Sequence, residues 1–343
     1  MKERNCSIDI FRMFCAFFVV SCHAEMLYDI DPFLDMAVTH VWARFTVPFF
    51  FTVAGYYYII ALLRGKDVFG KQLKALVRVY VTWSAIYFSF SLVKHLVEGT
   101  FDFATFAQEK IFDFFTIGSQ YHLWYMVALI YTLIIVTVVF KVFGEKGIKI
   151  LSIISFVISM ICAFGCVYYP IGSQIPVLAD FYATKAFTLV AEWFGMGVAY
   201  FTLGYIVYKV QDKFLKMSNK TIWILWGITL VIYMAEILLI VFKVQYFERL
   251  IVLVMVYFFI AMNMLLLIKN PLPKYTTVAK YCKSLSGFVY FAHVLILSVI
   301  ELVFSILNIE LFSILRYALV MIIAIGVGYF LEKSNWKIKK YLM

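Results

Sequence analysis

Ten times along its 343 residues the sequence runs apolar for about 17 to 25 positions, the length at which a helix crosses a bilayer. This recurrence constrains the fold more than any single motif. Inside hydrocarbon every backbone N–H and C=O must find its partner within the protein, so such runs become helices. The spans read as Ile8–Leu27, Phe45–Leu63, Leu76–Leu96, Leu123–Phe143, Ile148–Tyr168, Phe187–Tyr208, Thr221–Phe242, Leu250–Ile268, Ser286–Leu307 and Ile314–Leu331. With 64% hydrophobic and only 15% charged residues, and a mean hydropathy of +0.93, an ordinary soluble domain is excluded. The expected fold is an all-α integral membrane protein of about ten transmembrane helices, one domain over residues 1–343.

Charge alternates between the connecting loops, a signal independent of hydropathy. The N-terminus (Lys2, Arg4), the even-numbered loops and the tail collect most of the 30 basic residues, among them Arg64, Lys66, Lys71, Lys74 and Arg78 in the second loop. Odd loops are acidic or nearly neutral, as with Glu25, Asp29, Asp31 and Asp35, then Glu98, Asp102, Glu109 and Asp113. The positive-inside rule then sets both termini in the cytoplasm. It also accounts for the net charge of +10, so no nucleic-acid partner is expected, only the lipid bilayer. The six cysteines fall in or beside apolar runs and do not read as a disulfide framework. Cys162 and Cys166 share a helix face but lack a His or acidic neighbour at ligand spacing, and no metal is expected. The first run leads directly into further ones without a small-residue cleavage site, so no cleavable signal peptide is read.

The first run keeps two polar residues. Arg12 and His23 are eleven positions apart, which at about 100° and 1.5 Å per residue puts them on one face, about 16 Å apart along the axis. Asp9, three residues earlier, lies on nearly the same stripe and can pair with Arg12. Singly, such an Arg can simply snorkel to the headgroups and such a His can bond in the interface. Together on one face they point to a polar pathway, in which an imidazole takes a proton from a hydroxyl and a guanidinium holds a phosphorylated or carboxylate group.

The stretch "SIDIFRMFCAFFVVSCH" resembles the opening helix of the membrane acyltransferase-3 family, whose signature is an Arg, ten residues, then His. "VPFFFTVAGYYY" (Val47–Tyr58) is similar to that family's Phe-rich, Gly-ended second-helix motif. Basic residues at Lys71, Lys74 and Arg78, the aromatic "YHLWYMVALI" (Tyr121–Ile130) and "GFVYFAH" ending in His293 follow in matching order. Within the family the likeness is greatest to the membrane half of VanT-type serine racemases, a half thought to bring serine into the cell. The racemase domain of those proteins is not recognised before Met343, so racemisation is not expected.

The resemblance implies transfer of an acetyl or other short acyl group from cytoplasmic acyl-CoA, acetyl-CoA above all, to a hydroxyl of a cell-envelope carbohydrate or related acceptor, in a bacterial cytoplasmic membrane. No permanently bound cofactor is implied. His23 would be the general base, with Arg12 and Asp9 beside the path, and Arg12, Lys71, Lys74 and Arg78 would meet the phosphates of coenzyme A. Arg44, His122, Trp124, Glu192 and His293 are candidates for the acceptor side. For His122 an interfacial His among aromatics is the alternative; for His293 a structural hydrogen bond; for Glu192, Glu236 and Glu301 paired structural charges. Lys94 and Lys185 read as helix terminators, and His40 and His95 as surface residues. No G-x-S-x-G elbow, Walker loop or metal constellation is present.

Two other functions stay open. A transporter for a small amino acid such as L-serine would use the same pathway but would commonly break helices at its site; a silent envelope-assembly or sensory protein would tolerate changes at Arg12 and His23. The uninterrupted run from Arg12 to His23, free of Gly and Pro, favours the transferase. A homo-oligomer is compatible with the sequence.

Overall fold

All regular structure among the described residues is helical; the computed structural model describes residues 5–97, 99, 102–246 and 252–343. Lys2, Arg4, Glu98 and the first two residues of the expected span Leu250–Ile268 lie outside them. The longer helices are α1 (Cys6–His23), α2 (Pro32–Leu63), α3 (Phe69–Val97), α4 (Phe103–Phe115), α5 (Tyr121–Gly165), α6 (Lys185–Leu215), α7 (Asn219–Val244), α8 (Val256–Lys269), α9 (Pro273–Ile306) and α10 (Ser313–Lys333), with short helical turns at Tyr169–Gly172, Pro176–Tyr182 and Lys339–Leu342. Eight of these are long and apolar enough to cross a membrane, and α8 is a shorter apolar helix.

α5 carries two of the expected spans. Its backbone breaks at Gly144, with φ 61° and ψ −152°, a conformation essentially restricted to glycine. Both arms then run along the same neighbour: Thr132 of the first arm meets Gly197 of α6, and Cys162 of the second meets Gly195. Residues on both sides of the break thus touch the same turn of α6, so the second arm doubles back along the first and α5 is a hairpin of two crossings.

Several helix ends differ from the expected ones: α3 and α9 start earlier, at Phe69 and Pro273, α6 runs on to Leu215 and α8 starts later, at Val256, while two further differences bear on the site. α1 is capped by the Asn5 side chain, which accepts from the Ile8 N–H, and it stops at His23, where Glu25 turns left-handed at φ 48°. The apolar run continues to Leu27 but the helix does not, so His23 is its last residue. α2 starts at Pro32 rather than Phe45, because Asp31 accepts from the Leu34 N–H and proline suits the first helical position. Its entry is irregular: a π-helical stretch, Met36–Val41, and a 3₁₀ turn, Trp42–Phe45, precede the regular helix.

α8 is too short to cross by itself, and non-helical backbone precedes it. Glu236 of α7 makes that tolerable by accepting the Val254 and Met255 N–H groups, each at 2.8 Å, where lipid would offer nothing. The expected cytoplasmic segments gather at one end of the bundle. Asn5 bonds the Leu267 carbonyl, Cys6 that of Pro271, Lys269 those of Leu215 and Met217, and Arg78 that of Lys340. Lys209 pairs with Glu145 at that same end. At the other end Asp29 meets Ser313, and Arg316 pairs with Glu25 and Glu301. Apolar side chains such as Phe143, Val231 and Ile322 stay about two-thirds exposed, as lipid-facing residues of a multi-pass membrane protein do.

Candidate functional site

At the end of the bundle away from the basic loops, a cavity of about 120 Å³ is lined by His23, Cys22, His40, Arg44, Trp124 and Glu192 with several apolar neighbours. Local helix geometry builds it. His23 and Cys22 close α1, His40 lies in the π-helical entry of α2, and Arg44 in the 3₁₀ turn that follows. Glu192 lies in a second π-helical stretch, Ala191–Val198, inside α6. Such stretches widen the helix and release part of the ordinary i→i−4 bonding, and they occur frequently at functional sites.

Four residues singled out in the sequence, His23, Arg44, Trp124 and Glu192, therefore line one cavity although they come from four helices. His122 and His293 stand directly beside it. The His23 ring centre is 5.1 Å from that of His293, and the His122 and His293 rings are 5.0 Å apart. His293 is fully buried, and its Nδ1 lies 3.0 and 2.8 Å from the carbonyls of Val289 and Tyr290. Nδ1 therefore carries the proton, and Nε2 is left as a buried acceptor without a hydrogen-bond partner. His122 is buried as well, and Tyr290 donates to its carbonyl. Buried polar atoms are ordinarily satisfied, so an orphan beside a cavity marks a place built to meet something else. Among the described residues no group of His, Cys, Asp or Glu is arranged to hold a metal.

The three carboxylates that the sequence left equivalent are not alike. Glu236 is saturated by two backbone N–H groups and the Tyr168 hydroxyl, at 2.9 Å, and serves the fold. Glu301 pairs with Arg316. Glu192 lines the cavity with one carboxylate oxygen buried and without a hydrogen-bond partner.

Asp9 and Arg12 form a second station. Arg12 Nη1 lies 3.6 Å from Asp9 Oδ1, Asp9 is buried, and the Arg12 Nε is buried without a hydrogen-bond partner. α1 is unbroken from Arg12 to His23, so the stations are held about 16 Å apart along one rigid element. Lys71 and Lys74 are exposed on the first turns of α3, at the same end as Asp9. Arg78 is occupied otherwise: its Nε donates to the Lys340 carbonyl at 3.1 Å and its guanidinium lies over Tyr341. Lys185 begins α6 and lines a larger groove of about 750 Å³ with Glu109 and Asp113, where burial pushes the Asp113 carboxyl up against the pull of Lys110 and Lys185.

Sequence reasoning missed Asp35, Cys22 and His40 as members of the site. His40 is not the surface residue expected, but half-buried between Asp35 and Cys22. The signal was present in "DPFLD": an N-cap Asp before Pro starts a helix there and draws His40 and Arg44 out of a loop. His95, also expected at the surface, is half-buried with its ring against Phe106.

The acyltransferase-domain family known as acyltransferase-3 matches residues 5–333. Among curated proteins, an amino-acid racemase of Enterococcus faecalis is 30% identical over 225 residues, 62% of this chain and 30% of the relative. A second amino-acid racemase of E. faecalis is 28% identical over 53% of this chain and 24% of the relative, and a serine/alanine racemase of Enterococcus gallinarum is 30% identical over 37% and 18%. The chain thus matches less than a third of the length of these relatives. No solved structure matches it.

Proposed function

Because this chain belongs to the acyltransferase-3 family, we propose that it moves an acetyl or other short acyl group from acyl-CoA to a hydroxyl of a cell-envelope carbohydrate or related acceptor, with His23 as general base. The observation that carries this reading is one unbroken helix with a guanidinium near one end and, at the other, an imidazole opening into a cavity that Arg44 and Glu192 also line. In this reading the basic end of the bundle faces the cytoplasm of a bacterial cell membrane. Coenzyme A phosphates meet Arg12, with Lys71 and Lys74 nearby, and the pantetheine arm carries the thioester toward the cavity.

At the cavity the acceptor hydroxyl gives its proton to His23 as its oxygen attacks the acyl carbonyl. Arg44 supplies positive charge to the oxygen that becomes negative, in a site where little water competes. Glu192 and Trp124 orient the acceptor through a hydrogen bond and a flat apolar face. His293 and His122 line the approach and keep His23 in a shielded pocket. The His23 proton then leaves with the departing sulfur.

A second reading has its own observation. One cation and one carboxylate, Arg44 and Glu192, line a small cavity among irregular helical stretches, an arrangement that suits the two ends of a zwitterion. With relatives named amino-acid and serine/alanine racemases, this supports a transporter for a small amino acid such as L-serine.

One experiment separates them. Labelled acetyl-CoA is supplied on the cytoplasmic side of membrane vesicles, and label in envelope material is compared between wild type and His23→Ala at matched expression. The transferase reading expects a loss of about 10²–10⁴-fold in the variant. Serine uptake that depends on the wild-type chain, with no label transferred, would replace it with the transporter.

A further inference from the structure

We propose that Cys22 is a nucleophile that carries the acyl group as a thioester between acyl-CoA and the acceptor, with His40 as its base and Asp35 holding His40 in place. The inference rests on the acyl-CoA-dependent reading above and adds a covalent intermediate to it.

The geometry is that of an activated nucleophile. Cys22 Sγ lies 3.4 Å from His40 Nδ1, and His40 Nε2 lies 3.6 Å from Asp35 Oδ2. A base within reach of a thiol, held in turn by a buried carboxylate, is the arrangement that makes a weak nucleophile reactive. Asp35 is itself fixed, since it is only 2% exposed and its Oδ1 accepts the Leu27 N–H at 2.8 Å. Arg44 Nε donates to the His40 carbonyl at 2.8 Å and so secures the backbone that carries the base.

The π-helical entry of α2 makes this constellation possible. In a regular α-helix residues five apart point about 140° away from each other, at 100° per residue. A π-helical stretch, bonded i→i+5, brings them onto nearly one face, and Asp35 and His40 are such a pair. The result opens onto the same cavity as His23, and Cys22 and His23 are adjacent residues. Cys15 and Cys162, by contrast, are buried among core hydrophobics.

The steps balance without an oxidant or reductant. The Cys22 S–H proton passes to His40 Nδ1 while Nε2–H faces Asp35. The thiolate attacks the acyl carbonyl, the new C–S bond forms, the C–S bond to coenzyme A breaks, and the departing thiolate takes the proton from His40. The acceptor hydroxyl then gives its proton to His23 and attacks the Cys22 thioester. A C–O bond forms, the C–S bond breaks, and the proton on His23 returns to Cys22. One thioester replaces another in the first half, so the acyl group stays activated until the hydroxyl arrives.

The test uses the full chain in lipid nanodiscs with labelled acetyl-CoA. His23→Ala blocks the second half, so up to one acetyl per chain should accumulate, be released by hydroxylamine and map to the Cys22 peptide. Cys22→Ala should form no adduct and lose transfer about 100-fold or more. Independently of any acyl donor, His40→Gln and Asp35→Asn should slow alkylation of Cys22 by N-ethylmaleimide about tenfold. If Cys22→Ala does not fold, adduct mapping on His23→Ala decides alone. Transfer by wild type that persists in Cys22→Ala, with no adduct on His23→Ala, overturns the covalent intermediate and leaves the transferase standing. Absence of both transfer and adduct in wild type and His23→Ala overturns the transferase reading and the intermediate with it.

Discussion

Helices α2 and α6 run together through the bundle, closed along one half of their contact and open along the other. In the closed half Gly55 and Gly204 bring the backbones together, so that a methyl group on Gly55 would overlap the Phe201 carbonyl and one on Gly204 would overlap the Tyr56 amide. Without a hydrophobic force between helices in lipid, such close backbone approach is what holds them. Two polar pairs there are matched: Tyr56 donates to Gln211 at 2.7 Å, and the Tyr58 and Thr137 hydroxyls bond at 2.6 Å. In the open half the same two helices turn irregular, residues 39–47 and 192–196 part to line a cavity, and Glu192 keeps an oxygen without a hydrogen-bond partner. One helix pair thus divides its work, with close backbone contact for stability and an unpartnered carboxylate oxygen facing a cavity.

The sharpest break of this contrast is Gly55→Val. The added atoms have nowhere to go against backbone, and overpacking should cost about 3 kcal/mol, read as a fall in thermal unfolding midpoint and in yield from membranes. An unchanged midpoint would show that the closed half is not close-packed. Next in size is Arg12→Gln. Removing the charge that meets phosphate should raise the acyl-CoA concentration for half-maximal transfer about 10- to 100-fold, the equivalent of 1.5–3 kcal/mol for a hydrogen bond to a charged group. Saturation at the wild-type concentration would remove Arg12 from the donor site.

Smaller effects compare the two intramembrane glutamates. Glu236→Gln weakens the cap on the Val254 and Met255 amides and should destabilise by about 1–2 kcal/mol. Glu192→Gln touches no saturated network and should leave stability within about 0.5 kcal/mol, while slowing transfer. Chemical denaturation of the two variants side by side checks both; a cost at Glu192 equal to that at Glu236 would make it a structural charge and erase the distinction between the halves.

Much of this was legible in the sequence. The apolar runs, the pairing of Asp9 with Arg12 and the gathering of basic loops at one end all follow from local periodicity and charge. The contacts of His40 were not legible, because its approach to Cys22 depends on where α2 packs against the end of α1 and on a π-helical stretch that no apolar period announces. The difference between Glu192 and Glu236 was equally hidden, since each is one acid in an apolar run and their partners come from other helices.

By itself the sequence determined an all-helical membrane bundle and a first helix with a charge and an imidazole on one face, because hydrocarbon forces backbone bonds to stay local and one helix turns by a fixed angle per residue. Only the tertiary structure decided which polar side chains meet at the end of that helix and which are used up in holding the bundle together. Those contacts join residues far apart in the chain, and packing, not periodicity, sets them.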